Sequence, residues 1–342
     1  MVENSRQHVR IGMAVCLVAL LAASWPLSST AASRRATPGD SAQGYPAKGR
    51  PITILVANAP GGTADITARL IAPVMEKEFG TPVVVVNKPG AGMQVGLTEG
   101  ALAKPDGYTL VMTALPGALT VYMDPDRQAV PQVRELQQIA LHNIDVGAVV
   151  VGADSPYRTL KELVDAAKAN PRGLKAATDG LMSADHMATL YFKKRTGTDY
   201  KLVHFDGGGP ATTALAGGHV DVRIGKVGSV YAMLAAKKVR ILAVMDKQRS
   251  PYCPEVKTLE EEGYKDYVWY NVTGISAPKG TPRPIMELVS KAVSKSVDTE
   301  EAKKRLGGVA LIGRFMGPDE FRAYWKDFEK VVEPLIPEAK KQ

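Results

Sequence analysis

From Tyr45 onward, short runs of Val, Ile and Leu alternate with stretches whose apolar positions recur every three or four residues. The runs PITILVAN (51–58), VVVVN (83–87) and TLVMT (109–113) predict strands buried on both faces, because continuous β-branched runs suit a sheet covered on each side. Helical patterns near 64–79 and 93–104 lie between them, which makes a βαβαβ unit. Pro73 sits inside the first of these helices and is expected to kink it. A second unit follows the loop MDPDRQAVPQ (123–132). It comprises strands at 146–154, 174–180, 201–205, 219–225 and 239–245, with helices at 159–170 and 183–197 opened by Thr159 and Ser183 as caps. The long apolar and aromatic strand YVWYNVTGISAP (267–278) comes next, and only helices are expected after it, at 282–297, 299–307 and 317–336. A chain that closes in this way returns to its first lobe. The pattern gives an α/β fold with two lobes, each a doubly wound sheet with flanking helices: lobe 1 from 45–147 and 269–342, lobe 2 from 148–268.

The first 32 residues fall outside that pattern. Arg6, His8 and Arg10 precede the apolar run IGMAVCLVALLAA (11–23) and the small-residue stretch after it, the order of a secretory signal peptide cleaved near Ala31 or Ala32. The run is shorter than the ~20 residues of a spanning helix. Residues 33–44, rich in Ser, Ala and Gly, read as a flexible leader. The 342 residues are 45% hydrophobic and 23% charged, ordinary globular usage with room for a sizeable core. With the leader removed, Cys253 is the only cysteine, so no disulfide within the chain is available to an exported fold. The net charge of +8 falls by one on cleavage, since Arg6 and Arg10 outweigh Glu3 there. A basic exported protein favours anionic ligands or surfaces. Its lysines and arginines are scattered, without the basic arm and interleaved aromatics of a nucleic-acid binder.

One local design occurs twice. VANAPGGTADITARLI (56–71) and VHFDGGGPATTALAGG (203–218) each run from a strand through glycines and a small polar residue into a helix. Each turn would set a helix N-terminus beyond the carboxyl end of a strand, with unpaired N–H groups and the positive end of the helix dipole open to an anion. Ligands of open α/β sheets bind at that edge. Thr63, Ser183, Thr212 and Thr213 would add hydroxyl groups. The plainer reading of either turn alone is a tight connection with no ligand, and Asp65 and Asp206 bring negative charge near both unless they cap their own helices. Asp65 and Arg69 also have the spacing of an ion pair on a helix face.

Neither nucleotide fingerprint is present, since APGGTADI lacks both GxGxxG and the GxxxxGK[ST] lysine. His142, His186, His204 and His219 have no metal-ligand spacing, and no nucleophile elbow occurs. The sequence therefore calls for no enzyme activity, no metal and no cofactor.

At this level the chain resembles the solute receptors of tripartite tricarboxylate transporters, the Bug or TctC-like family. The resemblance rests on the Tyr45-Pro46 start, the GG turn followed by Asp65 and ARL, VVVVNKPGAG (83–92), PDGYTL (105–110), the GGG turn and ISAPKGTP (275–282). It implies a type II-like periplasmic binding protein that closes on a small organic acid in the cleft between its lobes, acts as a monomer and delivers its ligand to integral-membrane permease subunits. An orphan receptor feeding a signalling partner, or an exported enzyme, are the alternatives. Carried over by position, the first-lobe site falls on Pro60, Gly61, Gly62, Thr63 and Asp65, with Thr113 and Ala114 after the third strand. The second-lobe site falls on Ser183, Gly207, Gly208 and Gly209. Where the family usually carries an acid or amide, VDVRIGKVGS (220–229) places Arg223 and Lys226, each of which would hold a further carboxylate if it faced the cleft. Leu181 and Met182 stand where small residues are usual and would give the cleft a more apolar wall.

Overall fold

The computed structural model describes residues 44–341, so the expected signal peptide and all but the last residue of the expected leader lie outside the described residues. Ten strands follow in chain order: β1 (Ile52–Val56), β2 (Val83–Asn87), β3 (Thr109–Leu115), β4 (Gln137–Gly152), β5 (Lys175–Thr178), β6 (Lys201–His204), β7 (Val222–Lys226), β8 (Val239–Val244), β9 (Tyr270–Ala277) and β10 (Ile312–Met316). They form one continuous sheet of order β2-β1-β3-β9-β4-β7-β5-β6, with β8 and β10 also paired to β4. Strands β1, β2 and β3 are parallel, as are β5, β6 and β7. Strand β9 joins the first set antiparallel to β3.

Strand β4 carries the sheet from one set to the other. Residues Gln137 to Val146 pair with β9, and Gly147 to Val150 pair with β7. Gly147 is required at the crossing, because a Cβ there would stand 2.7 Å from the Met245 sulfur and 2.9 Å from the Trp269 carbonyl oxygen. The strand begins nine residues before the expected 146. Its first half reads as broken because Gln138, His142, Asn143 and Asp145 interrupt the apolar run, yet all four are buried. Local partners make that tolerable: Asn143 Nδ2 donates to Thr67 Oγ1 at 2.7 Å, and Gln138 Nε2 to the Leu136 carbonyl at 2.8 Å.

Helices cover both faces of the first set. Ile52, Ile54 and Val56, on one side of β1, pack with Ala64, Ala68, Ile71 and Met75 of α1 (Thr63–Phe79), whose spacing of three or four residues keeps them on one stripe. Val111 of β3 points the other way, toward Leu97 and Ala101 of α2 (Gln94–Ala101). Each such fully buried Ile or Leu contributes roughly 1.5–3 kcal/mol of hydrophobic stabilisation. Helix α1 is continuous across Pro73. Helix α3 (Gly117–Met123) follows β3. The second set carries α4 (Leu160–Ala169), α5 (Ala184–Thr196), α6 (Gly208–Ala216) and α7 (Val227–Ala235), of which α7, like α3, is absent from the expected pattern.

After β9 the chain is not wholly helical. Between α8 (Arg283–Val297), α9 (Glu300–Gly307) and α10 (Pro318–Val332) lies β10, antiparallel to β4 at Leu141 to Ile144. It is short, contains Gly313 and Arg314, and buries none of its residues fully, so the apolar pattern gives it little signal. Helix α10 buries Phe321, Trp325, Phe328 and Val332.

Candidate ligand-binding cleft

Residues from both sets of strands wall a cleft of about 470 Å³. On one side, the GG turn leads into α1 with Gly62 as an N-cap that offers no side-chain bond, and Gly62, Thr63 and Ala64 line the cavity. The α1 N-terminus thus presents unpaired main-chain N–H groups to the cleft, an arrangement worth roughly 0.3–1 kcal/mol to a nearby anion at an exposed site. Asp65 lies behind the turn. It accepts from the Gly61 N–H at 3.0 Å, Asn87 Nδ2 at 3.0 Å and Arg69 Nε at 3.1 Å, and so fastens the turn to the end of β2. Burial pushes its pKa up, but these donors together hold it below the usual carboxylate range.

On the other side, the N-terminus of α5 reaches the cleft through Asp179, Gly180, Leu181, Met182, Ser183 and Ala184. Ser183 Oγ accepts from the His186 N–H at 3.2 Å, and Asp179 Oδ1 from the Asp185 N–H at 3.1 Å, so two side chains cap one helix. The repeat between the two glycine turns therefore does not carry over to the cavity. Gly207, Gly208 and Gly209 open α6 away from the walls, and the Gly208 carbonyl oxygen accepts from Arg223 Nη1 at 3.0 Å.

Arg223 and Lys226 part company. In β7, side chains alternate faces, and the guanidinium of Arg223 is fully buried against Asp185, with Nη2 2.6 Å from Oδ2. It also donates to Thr212 Oγ1. Arg223 would hold a ligand carboxylate only if it faced the cleft; the structure sets it against Asp185 and keeps it out of the cleft walls. Lys226, at the strand end, does line the cleft, and its Nζ donates to Asp179 at 3.0 Å and Asp185 at 3.3 Å. Burial works against both charges of the Lys226–Asp179 pair, yet mutual attraction prevails: the Lys226 pKa is raised and that of Asp179 is held well below the carboxylate range.

Of the remaining expected residues, Ala114 lines the cleft. Thr113 does not. Its hydroxyl is buried on Gly274 O at 3.2 Å and Ser276 Oγ at 3.1 Å, holding β3 to β9. Pro60 and Gly61 are exposed on the turn outside the walls.

Several wall residues had no place in the sequence reading. Asn58, Thr120, Arg127, Asp145, Asn271 and Thr273 all line the cavity, and the Oδ1 atoms of Asn58 and Asn271 are buried without a protein partner. Asp145, on β4, accepts from the Gly228 N–H at 2.9 Å. Burial pushes its pKa up to about 7 against the pull of that donor and of Lys226. A lone acid within the apolar run of β4, and polar residues at 271 and 273 in the otherwise apolar β9, were legible signals. Arg127 gave none, because its loop reaches the cleft only through the tertiary fold.

A family profile described as tripartite tricarboxylate transporter family receptor matches residues 67–314. The chain belongs to that family of receptors. Its members are solute-binding proteins rather than enzymes. Among curated proteins, it is 34% identical over 265 residues to a protein in the tcbD-tcbE intergenic region of Pseudomonas sp. strain P51, covering 75% of this chain and 78% of that one. BugT of Bordetella pertussis is 29% identical over 289 residues, covering 84% and 88%. Among solved structures, a TctC solute-binding protein from Polaromonas superposes with a TM-score of 0.74 at 28% identity, over 86% of this chain and 99% of that one. MatC from Rhodopseudomonas palustris, solved with bound malate, gives 0.68 at 26% identity, over 87% and 99%. The fold of this receptor is accordingly the two-lobed one of periplasmic binding proteins. No helix of its described residues is long and apolar enough to cross a membrane.

Proposed function

We propose that this receptor, exported to the periplasm, captures a small organic carboxylate in the cleft and delivers it to an integral-membrane permease of the tripartite tricarboxylate type. The observation that carries the reading is the convergence of two helix N-termini, α1 and α5, on one cavity whose wall also holds Lys226 and Arg127. A carboxylate set at Gly62, Thr63 and Ala64 would accept main-chain N–H bonds, and Ser183 and Lys226 would meet the rest of the molecule from the other wall. The malate bound to MatC, a relative of the same fold, supports this class of ligand.

Closure follows from the same geometry. Contacts to both walls at once favour a closed state over an open one, and only that difference in affinity shifts the equilibrium. We place the lobes at 45–147 with 269–342 and at 148–268, with the bend where β4 exchanges β9 for β7 between Val146 and Gly147.

Thermal melts against mono-, di- and tricarboxylates, amino acids and aromatic acids test the reading. Ligand at ~100 Kd is expected to add about 2.7 kcal/mol and raise the melting temperature by about 5 °C. A ligand-free sample that shifts with none of the acids but with a neutral or cationic solute would overturn it.

A further inference from the structure

The two cations of the cleft are differently engaged. Lys226 spends two of its three protons on Asp179 and Asp185. Arg127 has five N–H donors, and among the described residues only Nη1 makes hydrogen bonds, to the carbonyl oxygens of Ala91 at 3.4 Å and Gly92 at 3.2 Å. Asp124 forms a long ion pair with Nε at 3.7 Å, beyond hydrogen-bonding distance, and also faces Lys340 Nζ at 3.5 Å. The Arg127 side chain is only 18% exposed, and burial lowers its pKa. The protein has thus partly dehydrated a cation whose one ion pair is long and shared with Lys340, and among the described residues Nε and Nη2 make no hydrogen bond, which leaves them to an arriving carboxylate.

The guanidinium is also held from behind. Gln94 Nε2 donates to the main-chain oxygen of Arg127 at 2.9 Å, tying its loop to the start of α2. At Gly92, φ +57, a Cβ would stand 3.0 Å from Nη1 and 3.2 Å from Nη2, so a side chain there would push the guanidinium back by a few tenths of an ångström. Ala91 and Met93 beside it share the left-handed conformation at φ +45 and +80, which is costly for non-glycine residues and recurs where a local shape serves a site.

We propose that Arg127 recognises the second anionic group of the ligand and that the cleft accordingly selects acids with two or more carboxylates over monoacids of the same length. The proposal rests on the carboxylate reading of the cleft. Calorimetric titration of the protein purified after export, with the matched pairs succinate and butyrate, and glutarate and pentanoate, separates the two. Wild type is expected to bind at least one diacid about tenfold or more tighter than its partner, the ~1.4 kcal/mol of one added charge-assisted contact. Arg127→Gln is expected to collapse that ratio while leaving monoacid affinity in place, and Arg127→Lys, a point charge without the fork, to keep part of it. A wild type that does not favour a diacid, a ratio that survives Arg127→Gln, or an equal loss of both acids overturns the role of Arg127 and leaves the receptor reading standing. Binding of no acid at all overturns that reading itself. Should Arg127→Gln fail to fold, the lysine variant decides, since an undiminished ratio there also overturns the proposal.

Discussion

At the residue scale, the cleft borders a buried charge cluster that is not balanced in number. Asp145, Asp179 and Asp185 face Arg223 and Lys226. Asp145, lacking a close cation, is the member whose charge burial opposes most visibly, with a pKa of about 7. Because that value is raised above the unfolded one, its contribution to stability is fully present below about pH 4 and is lost as pH rises through about 7. The loss amounts to at most on the order of 4 kcal/mol. His142 and His186 act in the opposite sense: burial pulls their pKa values down to about 4 and about 3, so they add stability that is present above about pH 6.5 and lost as pH falls. The difference between wild type and Asp145→Asn isolates the acid. Urea melts at pH 4.5 and pH 8 are expected to show the variant gaining on wild type at the higher pH, and equal differences at both would contradict the raised pKa. Arg223 teaches a different lesson. It belongs to the same strand as Lys226, three positions earlier, so the alternation of the strand sets the two on opposite faces: Arg223 is fully buried, and Lys226 lines the cleft, with Asp185 between them. Sequence supplies the two cations but not the sides they take.

At the element scale, the strand-to-helix turns were legible because glycines followed by a small polar residue leave few backbone alternatives. Their distribution was not. The α1 turn reaches the cleft as its pattern suggested, and α6, built to the same pattern, turns its carbonyl to Arg223 instead. Helix α2 shows how tightly an element can depend on two small residues. Gly96 lies against β1, where a Cβ would be 2.7 Å from both Ala57 Cα and the Lys88 oxygen, and Gly100 would place one 2.3 Å from Val111 Cγ2. At Gly96 the obstacles are backbone atoms that cannot step aside. Gly96→Ala is expected to cost about 1–3 kcal/mol despite alanine's better helix propensity. Val95→Ala on the exposed face, 48% accessible, should stay within about 0.5 kcal/mol. Denaturant midpoints with unchanged slopes would check both, and equal effects would contradict the close packing. The missed strand β10 belongs here too: with a glycine, an arginine and no fully buried residue, it exists because β4 offers an unpaired edge.

At the scale of the whole molecule, the described residues form one continuous sheet in which Cys253 is a free, buried thiol, which makes it a reporter. Cys253 is 1% exposed, and burial pushes its pKa up to about 11. The thiolate is the reactive form, so a thiol-reactive chromogenic disulfide is expected to leave the native protein untouched at pH 8 for as long as it stays folded. Stoichiometric reaction should appear only beyond the unfolding midpoint in urea, and rapid native labelling would show that the second set of strands opens locally.

The apolar pattern by itself determined the class of fold, the strands of the parallel sets and the glycine turns, because period, β-branching and backbone freedom are properties of neighbouring residues. It did not determine burial: β2, expected to be covered on both faces, ends the sheet with none of its residues fully buried. The tertiary structure alone decided which of those turns meet in the cleft. It buried Arg223, turned Lys226 to the cleft wall, ran β4 through a string of polar residues and brought Arg127 in from a loop. Each of those outcomes depends on atoms supplied by segments tens of residues away, as Thr67 does for Asn143 and Asp185 for Arg223, and no local pattern carries that information.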